Sequence, residues 1–60
     1  MFTYPIGTRV RLASGGPDMT VVDLDDIKAR VLCAWRDGEA VRESWFPSIT
    51  LDIIRNYHDI

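Results

Sequence analysis

The chain has little of what usually staples a small domain. Its 60 residues include one cysteine, Cys33, and one histidine, His58. One cysteine excludes an intrachain disulfide, and no Cys/His cluster exists to hold a structural metal. Basic residues are also short: Lys and Arg number 7 against 9 Asp and Glu, a net charge of −2. That lacks the basic footprint usual for strong nucleic-acid binding. No run approaches the roughly 18 apolar residues of a membrane span. Met1-Phe2-Thr3-Tyr4-Pro5 has no basic n-region and no long apolar stretch after it, so a signal peptide is not expected. A soluble cytoplasmic protein is the expectation, in a host cytoplasm if the gene belongs to a phage.

What is present suffices for one core. Hydrophobic residues make up 47% of the chain, and two each of Trp, Phe and Tyr supply large apolar groups. That is not a disordered composition. Sixty residues allow one domain spanning 1–60, and a chain this short buries only about 60% of its unfolded surface. Without staples, stability must come from good packing or from a partner, which includes a second copy of the chain.

Alternation organises the chain. Thr8–Leu12 puts Val10 and Leu12 on one side and Arg9 and Arg11 on the other, the period of a half-buried strand. Ala13-Ser14-Gly15-Gly16-Pro17-Asp18 is a breaker cluster. Met19–Asp23 reads as a second strand, and Asp23-Leu24-Asp25-Asp26 as an acidic turn. Lys28–Trp35 alternates most clearly, with Ala29, Val31, Cys33 and Trp35 sharing a face. Asp37-Gly38 is a hairpin signal, because a type I′ turn needs positive φ at both central residues. Glu39–Phe46 returns, and Pro47 ends the ladder. A 3₁₀ turn over 47–50 and a short strand over 51–55 follow, with 57–60 as a flexible tail. The rival reading of 48–58 is a helix capped by Ser48, with Ile49, Ile53 and Tyr57 at helical spacing. Five short antiparallel strands with tight turns predict an all-β fold, most economically a small SH3-like barrel.

With Asp37 and Gly38 as the loop, pairing follows arithmetically: Trp35 faces Ala40, Cys33 faces Arg42, Arg30 faces Trp45 and Ala29 faces Phe46. One face then carries Val31, Cys33, Trp35 and Phe46, joined by Val10, Leu12, Met19 and Val21 as the core. Arg42 falls awkwardly on this face and calls for a bulge or a snorkelling stem. The other face carries Arg30, Leu32, Val41, Glu43 and Trp45. Read plainly, it is a solvated face where Arg30 stacks on Trp45. Read functionally, it is a partner-binding surface, since Trp and Arg are enriched at hot spots.

The stretch "GTRVRLASGGPDMTV", with "VLCAW" at 31–35 and "WFPSITL" at 45–51, resembles the YodC-like family of very short bacterial and phage proteins. The shared positions are Gly7, Val10, Leu12, Ser14, Gly15, Gly16, Pro17, Met19, Thr20, Val21, Val31, Cys33, Trp35, Phe46, Pro47, Thr50 and Leu51. Thr8 stands where the family pattern has Asp, Arg36 where an aromatic is common, and the Asp25-Asp26-Ile27 link lacks a glycine. The resemblance implies a small SH3-like barrel and supplies no catalytic residues.

The remaining motifs read as structure. Ser14-Gly15-Gly16-Pro17 could expose an anion nest, but it lacks the lysine and following helix of a phosphate loop. It reads as a corner where glycine supplies positive φ and Pro17 fixes the exit. Cys33, between Val31 and Trp35, reads as a buried thiol. Asp23, Asp25 and Asp26 lack the spacing of a calcium loop. No acid/base dyad, triad or metal set can be assembled, so the expectation is no enzyme, no cofactor and no small-molecule substrate. The expected function is a non-enzymatic protein-interaction module, with self-association as a variant. Two alternatives stand: a phage-encoded, anti-CRISPR-like inhibitor of a host defence complex, and a weak nucleic-acid adaptor using Arg9 and Arg11 beside Trp45.

Overall fold

A computed structural model describes residues 4–54 of the chain. The strands are β1 (Arg9–Leu12), β2 (Met19–Asp25), β3 (Arg30–Asp37), β4 (Ala40–Pro47) and β5 (Leu51–Ile53), with one 3₁₀ turn at Ser48–Thr50. They form a five-stranded sheet in the order β4-β3-β2-β1-β5, and every pairing is antiparallel. Beyond residue 47 the chain takes the 3₁₀ turn and then β5, not a helix, as far as Ile54. Both the expected tail over 57–60 and the end of the rival helix lie outside the described residues.

The core sits on one face of this sheet. Tyr4, Val10, Met19, Val21, Val31, Cys33 and Leu51 are buried, with Leu12, Leu24, Trp35 and Phe46 packed half-buried against them. No helix exists among the described residues to cover that face. The sheet must therefore curl over its own apolar side. A bulge in β2 supplies curvature: Val21 lies opposite Cys33 and Asp23 opposite Leu32, which leaves Val22 as the extra residue. The same bulge resets the alternation. Met19 and Val21 point inward, and after Val22 it is Leu24, opposite Val31, that turns to the core while Asp23 turns out. The acidic segment expected as a turn is thus strand as far as Asp25, and the turn occupies 26–29.

Tyr4 plugs the curl. It is 4% exposed, and its hydroxyl donates to the Leu51 carbonyl at 3.0 Å. This joins the segment before β1 to the start of β5 and satisfies a buried phenol. Neither Tyr4 nor Leu51 stood among the expected core residues. Tyr4 lies outside any alternating run, and Leu51 follows a turn.

The β3–β4 hairpin turns one residue later than expected. Gly38 and Glu39 form the loop, and Asp37 is the last residue of β3, opposite Ala40. Gly38 has φ 66°, while Ala29 is the only described non-glycine residue with positive φ. A type I′ turn is thereby excluded. One positive-φ glycine at the first central position is the type II′ pattern. Moving the turn by one residue shifts each pairing by two, so every side chain keeps its face. Trp45 now faces Leu32 rather than Arg30, and Phe46 faces Val31 rather than Ala29.

Ala29 is the larger correction. It was expected on the core face of β3, yet it sits in the turn, exposed, with φ 55°. The left-handed region costs an L-residue about 1–2 kcal/mol, and glycine avoids that at a smaller entropic penalty. Ala29→Gly should stabilise the protein by about 0.5–1 kcal/mol, read as a higher urea midpoint at unchanged m-value. Tyr4 yields a second prediction. Burial, aided by the nearby Asp52 carboxylate, raises its hydroxyl pKa above the ordinary value. A pKa raised on folding gives a stabilisation that is complete below the unfolded value of about 10 and fades as pH rises through the folded one. Tyr4→Phe should cost about 1–2 kcal/mol at neutral pH and flatten the loss of stability above pH about 10.

Candidate functional site

The second, outer face of the sheet carries the residues singled out as a contact surface. On β3 and β4 it presents the opposed pairs Arg30/Pro47, Leu32/Trp45, Ala34/Glu43 and Arg36/Val41. Leu32, Trp45, Arg30, Val41 and Glu43 do share this face, but not one patch. Trp45 and Val41 are four residues apart on β4, about 13 Å along the strand, and Glu43 stands between them. The face divides into a Trp45 end and a Val41 end.

At the Trp45 end, the ring is 40% exposed and lies beside Leu32. The Arg30 guanidinium carbon sits 5.9 Å from its centroid. Since Arg30 is opposite Pro47, the stacking is diagonal across the ladder, within reach of a long side chain. Such a contact contributes about 0.5–1 kcal/mol at an exposed site. Arg30 Nε is buried without a hydrogen-bond partner. The guanidinium is therefore held by stacking, and Glu43 forms no ion pair with it among the described residues.

The β4 backbone matters as much as its side chains. From Ala40 to Trp45 every residue of the strand is exposed. Ser48 N–H donates to Ala29 C=O at 2.9 Å, and this sets the phase of the ladder. Arg42, Ser44 and Phe46 exchange bonds with β3, whereas Val41, Glu43 and Trp45 direct their N–H and C=O groups to the open edge. Pro47 closes the row, having no N–H. Arg42, the awkward core-face arginine, lies opposite Trp35 near the hairpin end and stays exposed. It reaches along its own face to Asp37, Nε to Oδ2 at 2.6 Å.

The other singled-out residues take structural places. Gly15 and Gly16 have φ 110° and 126°, and Gly15 N–H donates to Leu12 C=O at 2.8 Å. One of the amides an anion nest would need is thus used inside the turn. Asp23 Oδ1 accepts from Leu24 N–H, and Asp25 Oδ1 from Lys28 N–H. The first contact lies within β2 beside its bulge and the second spans the turn before β3, and among the described residues no group of three or more His, Cys, Asp or Glu could hold a metal. Cys33 is fully buried opposite Val21, and burial raises its thiol pKa.

The chain belongs to the family described as an uncharacterized small protein, DUF2158, whose profile matches residues 5–51. That span runs from just before β1 to the first residue of β5 and includes the whole outer face of β1 to β4. No curated protein and no solved structure matches the chain.

A buried, protonated thiol reacts only after opening. Cys33 should label with a disulfide reagent at least about 100-fold slower in the native protein than in urea. The native rate should rise with each destabilising substitution, read by absorbance of the released thiol.

Proposed function

We propose that this chain is a non-enzymatic protein-interaction module that takes up a partner strand along the β4 edge, with Trp45 as anchor. The observation that carries this reading is the edge itself. It is long, exposed on both faces, and has three consecutive sets of outward N–H and C=O groups. Strand addition draws affinity from such main-chain groups and specificity from alternate side chains. Here those alternate side chains are Val41, Glu43 and Trp45. An SH3-like barrel is the architecture we assign. Four meandering strands, a 3₁₀ turn and a fifth strand returned to β1 follow its order of elements, although no ladder joins β4 to β5 among the described residues.

A second copy is the first occupant to test. Two β4 strands can pair antiparallel about a two-fold axis, which keeps both outer faces on the same side. Centring on Glu43 or Arg42 sets like charges against each other. Centring on Ser44 avoids this and places Glu43 opposite the partner's Trp45, with both sets of edge groups aligned.

Sedimentation equilibrium across concentration tests the reading. Wild type should show a monomer–dimer equilibrium with Kd about 1–100 μM. Trp45→Ala should weaken it by about tenfold or more while remaining folded. Glu43→Pro is the sharper variant. Its lost N–H points away from β3, so the fold should persist while the edge is blocked. If all three are folded monomers, self-association is excluded and the edge serves a foreign strand. If Glu43→Pro dimerises as well as wild type, the β4 edge is not the contact.

A further inference from the structure

The Val41 end of the outer face holds a second feature, which shares only Val41 with the β4 edge. Arg9 lies opposite Thr20, and Thr20 opposite Ala34, so one rung crosses β1, β2 and β3 on the solvent side. Thr20 and Ala34 are short, and Glu43 stands opposite Ala34 at the β4 end of the rung. Longer side chains rise on either hand: Arg9 from β1, and Arg36 with its opposite residue Val41 from β3 and β4. The low floor and high walls make an open groove of about 360 Å³, to which Asp18 and Trp35 also contribute. That is at the lower end of the roughly 300–1,000 Å³ range of small-molecule sites.

The charges in this groove are unbalanced. Among the described residues, the ion pairs are Arg11 with Asp18, at 3.8 Å, and Arg42 with Asp37. Arg9 and Arg36 have no ionic partner there. They stand on strands two apart, about 10 Å between backbones, with the hollow over Thr20 and Ala34 between them. A chain of net charge −2 thus concentrates two free guanidiniums on one concavity. Guanidinium forks recognise carboxylate and phosphate oxygens. Ala34 and Val41 add apolar wall, and Thr20 adds a hydroxyl.

We propose that this groove binds an oxyanion, a carboxylate or a phosphate, carried on a small apolar body, with Arg9 and Arg36 as its two cationic contacts. Asp18 is the groove's own anion and opposes the ligand. Its pairing to Arg11 across an exposed 3.8 Å gap only partly offsets that repulsion.

Titration of the ¹⁵N-labelled protein with benzoate, phenyl phosphate and benzyl alcohol, at about 20 mM salt to limit screening, tests the assignment. The first two present different oxyanions on one ring, and the third is its neutral control. The expected result is saturable movement of the Thr20, Ala34 and Val41 amides with both anions. Benzyl alcohol should bind at least about tenfold more weakly. Arg9→Gln and Arg36→Gln should each weaken anion binding by about fivefold or more. Asp18→Asn should tighten it, and Arg42→Gln, on the other face, should leave it unchanged. Retained amide dispersion certifies each variant as folded. A preference for phenyl phosphate assigns the site to phosphates, and the reverse preference to carboxylates. The proposal fails if neither anion saturates below about 50 mM. It also fails if benzyl alcohol binds as well as the anions, or if Arg42→Gln weakens binding as much as Arg36→Gln.

Discussion

The extra residue in β2, Val22, is the constraint on which the rest of the structure depends. A strand alternates strictly, so a segment with Met19, Val21 and Leu24 as its core-facing members cannot present all three to one core without a bulge. Placing Val22 out of register turns Leu24 inward and Asp23 outward. It also bends the sheet, and among the described residues, which include no α-helix, the apolar side is covered by the sheet's own curl and by Tyr4. Val10, Val21 and Cys33, the fully buried side chains, lie on the concave side that results. Tyr4 closes that side by bonding across to Leu51.

The same curl leaves the β4 edge, the first surface feature of interest, in solvent. Burying one face with so few residues leaves the other face, and one long edge, in solvent. On β4 the apolar residues Val41 and Trp45 remain exposed, with Arg42 and Glu43 between them. Charge on an edge strand blunts promiscuous pairing without blocking a partner of complementary sequence. The groove over Thr20 and Ala34 arises differently, from short side chains meeting across a ladder. Neither feature needs backbone irregularity of its own. Ala29, the one described non-glycine residue with positive φ, lies in the turn before β3, next to the Trp45 end of β4 and away from the groove.

Much of the fold was legible because alternation is a strong local signal. The runs holding Val10 and Leu12, Met19 and Val21, and Val31, Cys33 and Trp35 were each readable as strands. So were the Gly15-Gly16-Pro17 corner and the short turn after Pro47. Boundaries slipped where competing turn chemistries share the same residues. Asp37-Gly38 is a strong type I′ signal, but Gly38 alone meets the type II′ requirement, and Asp37 joins the strand. The slip did no damage to the faces, because a one-residue shift in a turn moves the pairing by two. The acidic stretch at 23–26 read as a turn because its strand character appears only once the bulge is allowed. The outer-face residues Arg30, Leu32, Val41, Glu43 and Trp45 were placed on the right face. Their division into two ends follows from the four-residue spacing of Val41 and Trp45, and only the actual register decides which β3 residues stand beside each.

The sequence by itself determined the class of structure, short antiparallel strands joined by tight turns, and its single cysteine excludes an intrachain disulfide as a staple. Those follow from local periodicity and composition, which act over two to four residues and need no knowledge of distant neighbours. It also determined which side chains share a face within each regular run, since that is a matter of parity, but not across the Val22 bulge or at Ala29. Tertiary structure alone decided what those faces became. It put Tyr4 against Leu51, made β4 an edge, set Arg9 opposite Thr20 on a rung that continues to Ala34, and left Arg36 without an ionic partner among the described residues. Each of these depends on the order and stagger of strands far apart in the chain. That order is set by curling a small sheet over its own apolar side, a global packing condition that no local run of residues encodes.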